Sequence, residues 1–138
     1  MRKYTIKIFA DGADTKDILA LSKKKYIKGL TTNPTLMRAS GVKNYELFAK
    51  KILKKIKKKP ISLEVFSDDF SEMEKQATKI NSWGKNVYVK IPITNSKGKG
   101  SFDLIKKLSN RRIKLNVTAI TTVDQIIKLK KFINKKVP

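Results

Sequence analysis

The chain has no cysteine and no histidine. Those two absences exclude disulfides, a thiol nucleophile, a Ser-His-Asp arrangement and the usual zinc ligand sets. Acidic residues are scarce too: 11 Asp and Glu stand against 33 Lys and Arg, a formal charge of +22 over 138 residues. Arginine is scarcer still, with Arg2, Arg38, Arg111 and Arg112 the only ones. Long apolar runs are also missing, since the longest reach about six residues where a membrane span needs about 20. Met1-Arg2-Lys3 leads into a mixed strand pattern rather than a signal-peptide stretch. The length allows one domain at most. The expectation is a soluble, cytoplasmic protein whose chemistry rests on Lys, Asp, Glu, Tyr, Ser, Thr or Asn.

So basic a chain asks for an anionic partner, with nucleic acid the first candidate. Fork-shaped recognition of phosphates and base edges favours Arg, however, and nearly all these cations are Lys. The run 50–59, Lys-Lys-Ile-Leu-Lys-Lys-Ile-Lys-Lys-Lys, fits a nucleic-acid stripe. It fits the wet face of an amphipathic helix as well, and we read it so.

Segment types alternate regularly. Apolar, β-branched stretches at 4–10, 26–31, 61–66, 87–93 and 113–120 are each bounded by turn-formers and predict strands. Between them Tyr45, Phe48, Ile52 and Ile56 recur at helical spacing, as do Met73, Ala77 and Ile80, then Phe102, Ile105 and Leu108. A shorter first helix is expected over 15–25. Ser71-x-x-Glu74 and Thr122-x-x-Gln125 have capping-box form, and the final helix is expected to run to about Asn134. The loop 95–100, Asn-Ser-Lys-Gly-Lys-Gly, predicts the one long flexible connection. Five βα units imply a parallel sheet with right-handed crossovers.

Splitting each strand into its two faces exposes an anomaly. Ile61, Leu63 and Val65 form an apolar row opposite Ser62 and Glu64. Val87, Val89, Ile91 and Ile93 oppose Tyr88, Lys90 and Pro92, and Ile113, Leu115 and Val117 oppose Lys114, Asn116 and Thr118. Ile6, Ile8 and Ala10 likewise alternate with Lys7, Phe9 and Asp11. Glu64, Lys90 and Asn116 recur at a constant interval, so polar groups collect near one end of successive strands, where α/β sheets and barrels build their sites. A wet second face with a Glu64–Lys90 ion pair is the alternative, although parallel sheets are usually covered on both faces. Burial would favour the neutral, nucleophilic amine of Lys90, and the anions Glu64 and Asp11 would oppose it.

The stretches carrying these residues are Ile8-Phe-Ala-Asp-Gly-Ala-Asp14, Gly29-Leu-Thr-Thr-Asn-Pro-Thr35, Ser62-Leu-Glu-Val65, Val87-Tyr-Val-Lys-Ile-Pro-Ile-Thr94 and Leu115-Asn-Val-Thr118. In this order they resemble the transaldolase family, with its small fructose-6-phosphate aldolase-like branch, over about residues 4–130. The resemblance implies a class I aldolase-type (β/α)8 TIM barrel and transfer of a dihydroxyacetone unit between sugar phosphates, as in the pentose phosphate pathway, with no cofactor and no metal. It implies that Lys90 forms the Schiff base with the ketose C2. Asp11 is then the base for the C4 hydroxyl, Glu64 the acid/base acting through a water, and Thr118 a holder of that water. Asn33 and Asn116 would hydrogen-bond the dihydroxyacetone portion. Glu64 is the transaldolase-like choice, since the aldolase branch more often has Gln there. Read without the family, Asn33-Pro34 is a turn and helix entry, Asp11 and Asp14 are cap candidates, Asn116 and Thr118 could fill a barrel layer, and Asp68 and Asp69 are loop and helix-start charges.

Strand ends near residues 10, 32, 65, 90 and 117 give a mean unit of about 27 residues, so eight units need about 214. The expectation is therefore a partial (β/α)8 barrel, a single incomplete domain over 1–138 with about five parallel βα units and no residue assigned to the phosphate. Three readings follow. One is a transaldolase-type enzyme, truncated or completed by self-association or a second chain at the open sheet edge. The others are a non-catalytic barrel remnant and a basic nucleic-acid-binding module.

Overall fold

The computed structural model describes residues 6–138. Within them β1 (Ile8–Asp11), β2 (Ile27–Thr31), β3 (Ile61–Glu64), β4 (Val87–Pro92) and β5 (Leu115–Thr118) form one parallel sheet in chain order. Helices α1 (Thr15–Ser22), α2 (Pro34–Ala39), α3 (Tyr45–Lys55), α4 (Phe70–Asn81), α5 (Phe102–Asn110) and α6 (Val123–Leu129) complete the units. Sequential parallel strands with helices between them curl into a half-barrel, a partial (β/α)8 barrel. No helix among the described residues is long and apolar enough to cross a membrane.

The core lies between the outer sheet face and the helices. Leu63, Val89, Ile91 and Ile93 are fully enclosed there with Ile52, Ala77, Ile105 and Leu108. These are the apolar rows of the alternating strands meeting the apolar stripes of α3, α4 and α5. Lys50, Lys51, Lys54 and Lys55 stand exposed on α3 while Ile52 and Leu53 are buried, so that part of the lysine run is the solvated face of a helix.

Several local expectations are corrected. The strands are shorter than their patterns, and Tyr4 and Thr5 of the first pattern lie outside the described residues. Helix α4 is capped by Asp69, not Ser71: the Asp69 carboxylate accepts from Glu72 N at 3.0 Å, and an anion there also suits the helix dipole. The Thr122–Gln125 capping box is present. Helix α6 stops at Leu129 because the chain folds back, stacking Phe132 on Phe102 and bringing Asn134 N to Ser109 Oγ at 2.7 Å. The loop 95–100 is tied down rather than loose. Asn95 Oδ1 accepts from Lys97 N and Lys99 N, and Asp68 accepts from both Ser96 N and Ser96 Oγ at 2.7 Å. Those two bonds hold the Asp68 carboxyl below the usual carboxylate range.

Gly29 is required by a close approach. A Cβ there would stand 2.3 Å from the Phe9 ring and 2.9 Å from Pro60. Gly29→Ala is expected to lower unfolding stability by about 1–3 kcal/mol, read as a shifted urea midpoint at constant slope.

Candidate active site

Paired residues in a parallel ladder share a face, and side chains two apart on one strand share it too. Glu64 pairs with Lys90 and Lys90 with Asn116, so these three side chains form one rung across β3, β4 and β5. Asp11 pairs with Thr31 and Thr31 with Ser62, one rung nearer the N-terminal end of the sheet on the same face. Thr118 pairs with Pro92, one rung further along. That face is the inside of the curl. The polar rows therefore point into the half-barrel, and the apolar rows point to the helices.

Lys90 is the one buried charged residue on the described chain, 8 % exposed. Its Nζ lies 3.3 Å from Glu64 Oε2 and donates to the Thr32 carbonyl at 3.2 Å. Desolvating an ammonium is costly unless it is paired and hydrogen-bonded, and this pair of acceptors supplies both. Asn116 Nδ2 donates to Ser62 Oγ at 3.0 Å, which ties the fifth strand's amide to the third strand. An amine beside a carboxylate places a nucleophile next to a proton carrier, the pairing that covalent carbonyl chemistry needs.

The Thr32 carbonyl is available because β2 and β3 part company above it. Leu30 N donates to Pro60 O and Thr32 N to Ser62 O, after which the β2 chain turns into α2. Asn33 makes that turn: its Oδ1 caps α2 by accepting from Leu36 N at 2.8 Å, with Pro34 at the first helical position. The helix-entry reading of Asn33-Pro34 thus describes its Oδ1. Asp14, not Asp11, caps α1, accepting from Lys16 N and Asp17 N.

Of the six residues singled out in the sequence, the structure brings Glu64, Lys90 and Asn116 together. Asp11 ends β1 exposed to solvent, Asn33 stands at the α2 start, and Thr118 is half-buried at the end of β5. No hydrogen bond joins any of these three to Lys90 among the described residues. Below the Lys90 rung the inner face forms a groove of about 820 Å³ whose lining includes Phe9, Ser62, Tyr88 and Asn116.

Three contributors were not singled out. Thr32 offers its carbonyl to Lys90, Ser62 anchors Asn116, and Tyr45 donates its hydroxyl to the Glu64 carbonyl at 3.0 Å. Ser62 carried a readable signal, since it shares Glu64's row. Tyr45 had none beyond its place in a helical apolar stripe. Thr31 Oγ1 and Thr32 Oγ1 are buried without a partner among the described residues.

A family model for transaldolase/fructose-6-phosphate aldolase matches residues 8–135. A probable transaldolase of Dehalococcoides mccartyi is 34% identical over 122 residues, covering 88% of this chain and 55% of the relative. One from Lactiplantibacillus plantarum is 38% identical over 120 residues, 87% of this chain and 52% of the relative. One from Thermoplasma volcanium is 39% identical over 117 residues, 83% and 50% respectively. The chain spans about half the length of the curated relatives it matches.

Proposed function

Because this chain belongs to the transaldolase/fructose-6-phosphate aldolase family, we propose that its five units carry the Schiff-base half of a transaldolase-type site acting on sugar phosphates. The observation that carries the reading is Lys90, buried in the C-terminal half of β4 with a carboxylate 3.3 Å from its nitrogen.

The chemistry follows from electron demand. Lys90 passes a proton through a water to Glu64, and the freed amine adds to the ketose C2 carbonyl, its remaining proton moving to the oxygen to give a carbinolamine. Glu64, through a water, returns a proton to the departing oxygen, which leaves as water as the C2 iminium forms. The iminium draws electrons from the C3–C4 bond while Asp11 takes the C4 hydroxyl proton, so an aldose phosphate leaves and a neutral enamine stays on Lys90. Addition of the enamine carbon to an acceptor aldose carbonyl, proton return from Asp11 and hydrolysis of the iminium complete the transfer. Asn33 and Asn116 would hold the hydroxyls of the dihydroxyacetone portion, and Thr118 the water. The surrounding lysines attract the anionic substrate.

A second reading, a non-catalytic part of the barrel, is favoured by the open edges of the half-barrel. Ile6 just before β1, Ile8 in β1, and Val123, Ile126 and Ile127 on α6 are exposed apolar side chains. We propose that the domain is one incomplete barrel whose seam takes further βα units. Incubation with fructose 6-phosphate and borohydride tests the two readings together. Reduction is expected to leave one sugar-phosphate adduct on the Lys90 peptide, and a chain labelled nowhere, or only at exposed lysines, overturns the enzymatic reading.

A further inference from the structure

The β2–β3 ladder has a defined gap. Its rungs advance two residues at a time, Leu30 N to Pro60 O and Thr32 N to Ser62 O. The next donor in that series would be the N–H of residue 34, aimed at the carbonyl of Glu64. Residue 34 is proline and has none. The Glu64 carbonyl is served instead by a side chain from the outer layer, the Tyr45 hydroxyl at 3.0 Å.

Tyr45 is built to hold that place. It is the first residue of α3, behind the Asn44 cap, and its half-buried ring packs edge-on against Phe66 at 4.7 Å and Trp83 at 5.2 Å between centroids. Burial, and then the charge of Glu64, push its phenol well above the usual tyrosine value. The hydroxyl therefore keeps its proton and stays a donor at neutral pH.

We propose that Tyr45 is a positioning residue: its hydroxyl replaces the ladder donor that Pro34 cannot supply, and so fixes the end of β3 such that the Glu64 carboxylate meets Lys90. The catalytic consequence rests on the Schiff-base reading above; the positioning does not. Pro34 and Tyr45 act as a pair. The proline releases β2 to turn into α2, which leaves the Thr32 carbonyl for Lys90, and the tyrosine keeps β3 from following the release.

Two variants test this. Tyr45→Phe removes the hydroxyl alone, and Trp83→Phe disturbs the same aromatic cluster without touching Glu64. The first readout needs no substrate: the rate at which acetic anhydride labels Lys90, measured by peptide mass spectrometry against the exposed lysines at one pH. A nitrogen held between the Glu64 carboxylate and the Thr32 carbonyl must leave those acceptors before it can reach the reagent. Tyr45→Phe is therefore expected to raise relative Lys90 labelling about 3-fold or more, the worth of one hydrogen bond, while Trp83→Phe leaves it unchanged. Equal labelling of Tyr45→Phe and wild type, or equal rises in both variants, overturns the proposal. The second readout is capture of fructose 6-phosphate with borohydride. Tyr45→Phe is expected to slow the limiting rate about 10-fold, as a small misplacement of a proton carrier does, at an unchanged half-saturating concentration. A rise in that concentration at an unchanged rate overturns the proposal. A wild-type chain that captures no ketose, but whose Lys90 labelling still responds to Tyr45→Phe, overturns the Schiff-base reading and supports the positioning one.

Discussion

Lys90→Met is expected to abolish covalent capture of a ketose phosphate, by about 10³-fold or more. Methionine keeps the length and apolar stem of lysine but has no nitrogen to add to a carbonyl, so the loss isolates the chemistry from the packing. The substitution takes the cation from Glu64, whose side chain is 19% exposed, and the donor from the Thr32 carbonyl. Glu64 faces the open inside of the curl and can turn towards water, so the stability loss is expected to stay near 1–3 kcal/mol, about the cost of an unmade hydrogen bond to a charged group. Capture is read by intact mass at low ketose concentration, and stability by urea unfolding. Exposed lysines will give slow, scattered reductive labelling in both proteins. Wild-type capture rates in Lys90→Met would assign the adduct to those lysines and remove Lys90 from the chemistry.

The largest stability effect is expected at Leu63→Ala. Leu63 is fully enclosed on the outer face of β3, and truncation there removes apolar contacts at the centre of the core. Such truncations cost about 2–5 kcal/mol, a large part of the roughly 5–15 kcal/mol that holds a domain folded. Ile127→Ser, on the exposed face of α6, is expected to change stability by no more than about 0.5 kcal/mol. The contrast also reports on the seam. If a second chain or a second copy covers α6 in solution, Ile127→Ser will show a cost that depends on protein concentration.

Much of this arrangement was legible because strand geometry has a period of two. Alternation in 61–66, 87–93 and 113–120 separated a helix-facing row from an inward row. The constant interval between Glu64, Lys90 and Asn116 anticipated their common rung, because equal βα units return the chain to the sheet at equal depth. What was not legible turned on hydrogen bonds between distant or competing groups. Asp69 and Ser71 are both good helix starters, and only the backbone geometry chose Asp69. The loop 95–100 is rich in glycine and lysine, yet Asp68, 28 residues before Ser96, clasps it. Thr32 contributes through its carbonyl, an atom every residue has, so no pattern of residue types could mark it.

By itself the sequence determined the βα alternation and the direction in which the side chains of β1, β3, β4 and β5 point, and it left lysine as a candidate nucleophile in a chain without cysteine or histidine. Local rules suffice for these, since period-two alternation and helical spacing act over a few residues. Tertiary structure alone decided that Glu64 stands 3.3 Å from Lys90, that the Thr32 carbonyl is free to accept from it, and that Tyr45 closes the gap left at Pro34. Each depends on which donor reaches an orphaned acceptor from another element. That outcome is set by the curl of the sheet and the packing of α3 against it.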